Sequence, residues 1–285
     1  MKKIIGMTAA LAVTSVMADI SITGSYEGTV TDAPDAASTY SQDIDLFVKG
    51  RAGDAQVNLS FEDLASGSAV QTTEAYIVAP LEGLTFKGGS MKGQNGDGLL
   101  QKKSAPANKM KLSTEVEGFG LTYGQTSGDG NGSVDVSANV GGFGVKVQNA
   151  SNDTRFITIT GDVGPVAAAI ERQEASTDKV NTAYSVTGTV GPAAVTYVNV
   201  DVQDAAGVTQ DDGILGDISD ATAGNDLYGI VASFNAVAGK VTGKYINKND
   251  AKTYVAKLER GMWEFSHTKP ENTDGTTKAV IKVTF

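Results

Sequence analysis

The sequence predicts an all-β fold, a transmembrane antiparallel up-and-down β-barrel of about 16–18 strands. Three observations carry this. Apolar and polar residues alternate with a period of two along one segment after another. Tight glycine-centred turns alternate with longer polar loops. Beyond residue 18 no stretch approaches the roughly 20 consecutive apolar residues of a spanning helix, so any membrane crossing must be made by strands.

The first element, residues 1–18 (MKKIIGMTAALAVTSVMA), is expected to be a secretory signal peptide. Lys2 and Lys3 form its positive start, Ile4 to Val13 its apolar stretch, and Val16-Met17-Ala18 a small-residue cleavage site. Residues 19–285 then form a single barrel domain. The chain has no cysteine, which excludes a disulfide framework and thiolate chemistry despite the exported address. A formal net charge of -10 argues against nucleic acid as a partner, because phosphates need a basic surface. A hydrophobic content of 40% and an aromatic content of 7% supply a conventional packed core only thinly at this length.

The strands show their two faces directly. In DIDLFVKG (43–50), Ile44, Leu46 and Val48 oppose Asp43, Asp45 and Lys49. In QVNLSFED (56–63), Val57, Leu59 and Phe61 oppose Gln56, Asn58, Ser60 and Glu62. GSVDVSANV (132–140) and FGVKVQ (143–148) repeat the pattern. The polar face carries amides, hydroxyls and charges, whereas a packed interior would demand bulky apolar side chains there.

The punctuation is equally regular. Glycines at 50, 83, 118, 142, 164, 191, 239 and 261 recur mostly at roughly 22 to 35 residues, the spacing of a two-strand hairpin plus its loop. Longer polar connections fall at 31–39, 92–108, 126–132 and 204–226. Nine hairpin units result; merging two weak strands around 132–150 would leave 16 strands instead of 18. The final segment, KAVIKVTF (278–285), alternates Ala279, Ile281, Val283 and Phe285 with Lys278, Lys282 and Thr284, and would close the ring against ISITGSYEGTV (20–30).

In a closed barrel the polar face lines the lumen. Early strands offer Asp43, Asp45 and Glu62 to it, and late strands offer Lys240, Lys244, Lys257 and Lys282. The expectation is a water-filled interior with charge-separated walls, in which the lysines form a basic strip that weakens cation preference. Tyr26, Tyr76, Tyr123, Tyr184, Tyr228, Tyr245, Tyr254, Trp263 and Phe285 are candidates for aromatic girdles at the membrane surfaces.

Catalytic and metal chemistry find little support. His267 is the only histidine, so a serine–histidine–acid triad has a single candidate base, and no catalytic set is assigned. With one histidine and no cysteine, a transition-metal site lacks its usual ligands, and no cofactor is expected. Asp204, Asp211, Asp212, Asp217 and Asp220 supply oxygen ligands for calcium, but their spacing matches no ordered calcium loop. The glycine run from Gly128 to Gly132 has no lysine after it to complete a phosphate cradle.

The signal peptide, the meander of alternating strands and the terminal phenylalanine together resemble the general porins of Gram-negative outer membranes. TEAYIVAPLEGLTFKGGSMKG (73–93) is similar to the strand–turn–strand preceding the inward-folded third loop of alphaproteobacterial porins. The resemblance implies that 92–108 is a constriction loop between the fifth and sixth strands, bearing Lys92, Asp97, Lys102 and Lys103. It implies an outer-membrane homotrimer surrounded by lipid, passing ions and small hydrophilic solutes by passive diffusion. It also implies that Ile281, Val283 and Phe285 form the signal read by the barrel assembly machinery. The chain departs from the family in having a single acid in this loop and only four arginines, Arg51, Arg155, Arg172 and Arg260. Two other readings of the same pattern stand beside it: a non-conducting barrel acting as an envelope anchor or adhesion protein, and a secreted soluble β-protein.

Overall fold

The computed structural model describes all residues except 1–18, 35, 63–70, 94–98, 101–103, 129–131, 150–153, 175–178 and 204–224. Eighteen strands follow one another: β1 (Asp19–Asp32), β2 (Thr39–Ala52), β3 (Ala55–Glu62), β4 (Gln71–Leu81), β5 (Leu84–Gly93), β6 (Ser104–Val116), β7 (Phe119–Thr126), β8 (Ser133–Val140) and β9 (Phe143–Asn149). The second half comprises β10 (Arg155–Val163), β11 (Val166–Glu174), β12 (Val180–Val190), β13 (Ala193–Val202), β14 (Asn225–Ala236), β15 (Gly239–Lys248), β16 (Ala251–Arg260), β17 (Trp263–Pro270) and β18 (Thr276–Thr284). Each strand pairs antiparallel with the next, and β1 pairs with both β2 and β18. The sheet is therefore closed, and its ladder satisfies backbone groups around the whole ring. The region around 132–150 holds two separate strands, β8 and β9, which resolves the choice between 16 and 18 in favour of 18.

Eight two-residue turns lie at one end of the barrel; the other end carries the longer connections and a ninth two-residue turn, Asn249–Asp250, between β15 and β16. At Glu82–Gly83 both central residues have positive φ (46° and 86°), the backbone of a type I′ hairpin turn that matches the twist of the flanking strands. Gly164–Pro165 and Gly191–Pro192 solve the same problem differently. Glycine takes the positive φ (64° and 59°), and proline supplies the negative φ that follows it. Two expected turn glycines are displaced. Gly50 lies inside β2, whose turn is made by Gly53–Asp54, and Gly239 begins β15 after the turn Val237–Ala238.

The two faces of the wall differ as the period-two pattern requires. One face carries Ile22, Ile77, Leu121, Val136, Ile159, Ile170, Val186 and Ile230, all well exposed. So continuous an apolar exterior suits lipid and would be a liability in water. The other face points inward and carries the hydroxyls, amides and charges. Buried apolar residues form one cluster only among those described, on the inner side of β12 to β16.

Candidate functional site

That inner cluster comprises Ala183, Val198, Val200, Val202, Leu227, Ile246 and Val255, and its centre is filled by Leu100, which is fully buried. Leu100 belongs to the connection between β5 and β6, yet it rests on the wall across the ring. Leu99 packs beside it. The backbone amides of Leu99 and Leu100 donate to Glu171 Oε2 and Oε1 at 3.3 and 3.2 Å. Glu171 is itself wholly buried on β11. A buried carboxylate is tolerable only when its oxygens are hydrogen-bonded, and here two successive amides of a traversing segment do so. Apolar insertion and charge-assisted hydrogen bonding thus hold one point of the β5–β6 connection against the far wall.

The proposed boundaries of that connection shift. The ladder carries β5 as far as Gly93 and starts β6 at Ser104, so the connection is 94–103, not 92–108. Lys92 consequently belongs to the wall. Its Nζ binds Glu62 Oε1 at 2.9 Å and Oε2 at 3.2 Å, while its amide donates to Glu74 Oε1 at 2.8 Å. Asp97, Lys102 and Lys103 lie outside the described residues, as does the candidate calcium stretch apart from Asn225 and Asp226.

Register aligns the remaining charged residues. Glu27 stands opposite Asp43 and Ser25 opposite Asp45, and Ser25 Oγ donates to Asp45 Oδ2 at 3.4 Å. These acids face inward from β2, with Glu62 on β3 and Glu74 on β4 extending the acidic arc. Next to them, Lys87 faces Lys111 across β5 and β6. Tyr76 departs from the expected girdle: it turns to the inner face, with Lys87 Nζ 3.9 Å from its ring centroid, a cation–π contact.

Lys240, Lys244, Lys257 and Lys282 share the inner face of β15 to β18, but the strip is not uniformly basic. Glu259 lies 3.7 Å from Lys240 and 3.2 Å from Lys257; Glu264 lies 3.0 Å from Lys257 and 3.2 Å from Lys282; Glu27 lies 3.3 Å from Lys282. Three lysines and three glutamates therefore interlock across β15, β16, β17, β18 and β1. Lys244 lies on the same inner face, opposite Val231 and Val255.

The outer face sorts its aromatics by height. Tyr228, Tyr245 and Tyr254 form a tilted row near the long-connection end, with centroid separations of 6.2 and 5.5 Å. Trp263 and Phe265 stack at 6.2 Å near the tight-turn end, where Phe119 and Phe143 also begin their strands. Rings at two levels fit two lipid–water interfaces. Arg155 and Arg172, distant in sequence, converge on Glu174 at 3.5 and 3.1 Å, on this outer face. His267 faces outward too, its Nδ1 3.0 Å from Thr277 Oγ1. Ile281, Val283 and Phe285 occupy the outer face of the closing strand.

No sequence-family description matches this chain, and no characterised protein matches it in sequence. Solved structures do match in shape. Pseudomonas aeruginosa OccK10 (OpdN) aligns with a TM-score of 0.65 at 10% identity, over 94% of this chain and 99% of that one. The outer membrane protein OpdK of Pseudomonas aeruginosa aligns at 0.62 with 10% identity, over 94% and 99%. A BenF-like porin from Pseudomonas fluorescens aligns at 0.60 with 12% identity, over 95% and 99%. At such identities the likeness establishes the fold, a closed barrel of the outer-membrane porin type.

Proposed function

We propose that this chain is an outer-membrane porin, a water-filled channel for passive diffusion of ions and small hydrophilic solutes. The observation that carries the reading is the pairing of an apolar, lipid-compatible exterior with a charged inner wall across which Leu99 and Leu100 dock. The exterior and its aromatic levels favour a bilayer over a secreted soluble protein. The partly exposed lysines and glutamates of the inner wall favour water inside over a plugged anchor. The segment at Leu99–Leu100 narrows the passage, and Lys92, Glu62 and Glu74 line the approach beside it. Selectivity is set by mixed charge, because Glu259, Glu264 and Glu27 offset the lysines they pair with. Protein refolded in detergent and added to planar bilayers should give discrete conductance steps. A folded, heat-modifiable barrel that inserts without conducting would instead support the anchor reading.

A further inference from the structure

The inner wall from β6 to β10 holds a cavity of about 310 Å³. Register sets Glu115, Gly120, Ser137, Lys146 and Thr158 in one row across these strands, with Asn139, Gly144 and Thr160 in the next. The two glycines make its floor. A Cβ on Gly120 would lie 2.5 Å from Ser137 Oγ, and one on Gly144 would lie 3.0 Å from Thr160 Oγ1. Both hydroxyls therefore lie over bare backbone, in space that any other residue would occupy. Thr158 is 2% exposed, and its Oγ1 is buried without a hydrogen-bond partner. Native structures leave few such groups unmade, so a hydroxyl of this kind in the lining of a cavity has hydrogen-bonding capacity to offer a solute. Thr158 also stands directly opposite Glu171, so the cavity adjoins the docked segment, on its tight-turn side.

We propose that this cavity is a solute subsite for a small uncharged polyhydroxylated molecule, of about monosaccharide size. The inference rests on the channel reading and adds a preferred solute class to it. Ser137, Thr158, Thr160 and Asn139 each act as donor and acceptor, which suits vicinal hydroxyls. Glu115 and Lys146 balance in charge, so an anion would meet the acid and a cation the base. Among the described residues no aromatic ring lines the cavity, so retention is weak, as passage through a channel requires.

The test is ion current through the refolded full chain in planar bilayers as glucose is titrated. Current should fall saturably with glucose, and polyethylene glycol of similar mass should produce only a linear, viscosity-like decrease. The near-isosteric Thr158→Val should weaken half-saturation about five-fold, the equivalent of one hydrogen bond. Ser137→Ala should act in the same direction, and heat-modifiable mobility verifies that both variants fold. A linear glucose response, coincident titrations for wild type and Thr158→Val, or stronger block by the zwitterion betaine would each overturn the subsite while leaving the channel standing. A folded protein that does not conduct overturns the channel reading and the subsite with it.

Discussion

The amide of Leu100 donates to the carboxylate of Glu171 across 71 residues of sequence and across the barrel, at 3.2 Å between two fully buried residues. Glu171 also accepts from the part-buried Leu99, so its removal strands two amides, the buried one of Leu100 at a cost of about 1–3 kcal/mol. Glu171→Ala should release the segment from the wall while the strand ladder persists. Single-channel conductance should rise and the solute-size cut-off should increase. Unchanged conductance in a folded Glu171→Ala channel would show that this contact does not set the passage.

Leu100 tests the same dock through packing instead of hydrogen bonding. Truncating a fully buried leucine usually costs about 2–5 kcal/mol, and here that loss falls on the docked segment more than on the barrel. Leu100→Ala should speed proteolytic cleavage between β5 and β6 and raise conductance, with little change in the thermal transition of the barrel. A lowered barrel transition without faster cleavage would mean that Leu100 supports the wall itself.

How much of this is legible in the sequence depends on the range of each interaction. Period-two alternation is local, so the strands and both faces can be read from segments such as QVNLSFED and KAVIKVTF. The dock is not local. Glu171, in VAAAIERQE, opens a run of four polar residues at the strand end, and nothing near it reveals amides from Leu99 and Leu100. The Leu99-Leu100 pair amid Gly, Asn, Asp, Gln and Lys is a usable signal, since an apolar doublet in a polar connection needs something to rest on. Parity placed the lysines on one face but says nothing of cross-strand alignment, which is what brings Glu259 and Glu264 between them. From sequence the connection reads as 92–108 and not 94–103 because Gly93 and Ser104 carry no apolar signal, although the ladder still includes them.

The interlocked charges of β15 to β18 and β1 make selectivity adjustable at a single position. Glu264 contacts both Lys257 and Lys282, so Glu264→Gln leaves two lysines without their shared partner. These groups are partly exposed and worth at most about 1 kcal/mol per pair, so the fold should tolerate the change. The reversal potential in a salt gradient should move toward anion preference, and Lys282→Gln should move it the other way. Equal reversal potentials for the three proteins would exclude this strip from the ion path.

The closing seam offers the sharpest separation of assembly from conduction. Phe285 and Gly24 exchange two backbone hydrogen bonds, at 2.8 and 3.0 Å, which complete the β1–β18 ladder. The phenyl ring lies over the same glycine: a Cβ on Gly24 would stand 2.6 Å from two ring carbons. Phe285 thus covers a backbone stretch that would otherwise face lipid bare, while its ring stays outside the lumen. Phe285→Ala and Gly24→Val should each reduce the heat-modifiable folded fraction several-fold on refolding. The first removes the cover and the second displaces it. Channels that do assemble should conduct as wild type does, because neither side chain reaches the inner wall. Normal folding yield with altered conductance would reverse this assignment and place the seam in the transport path.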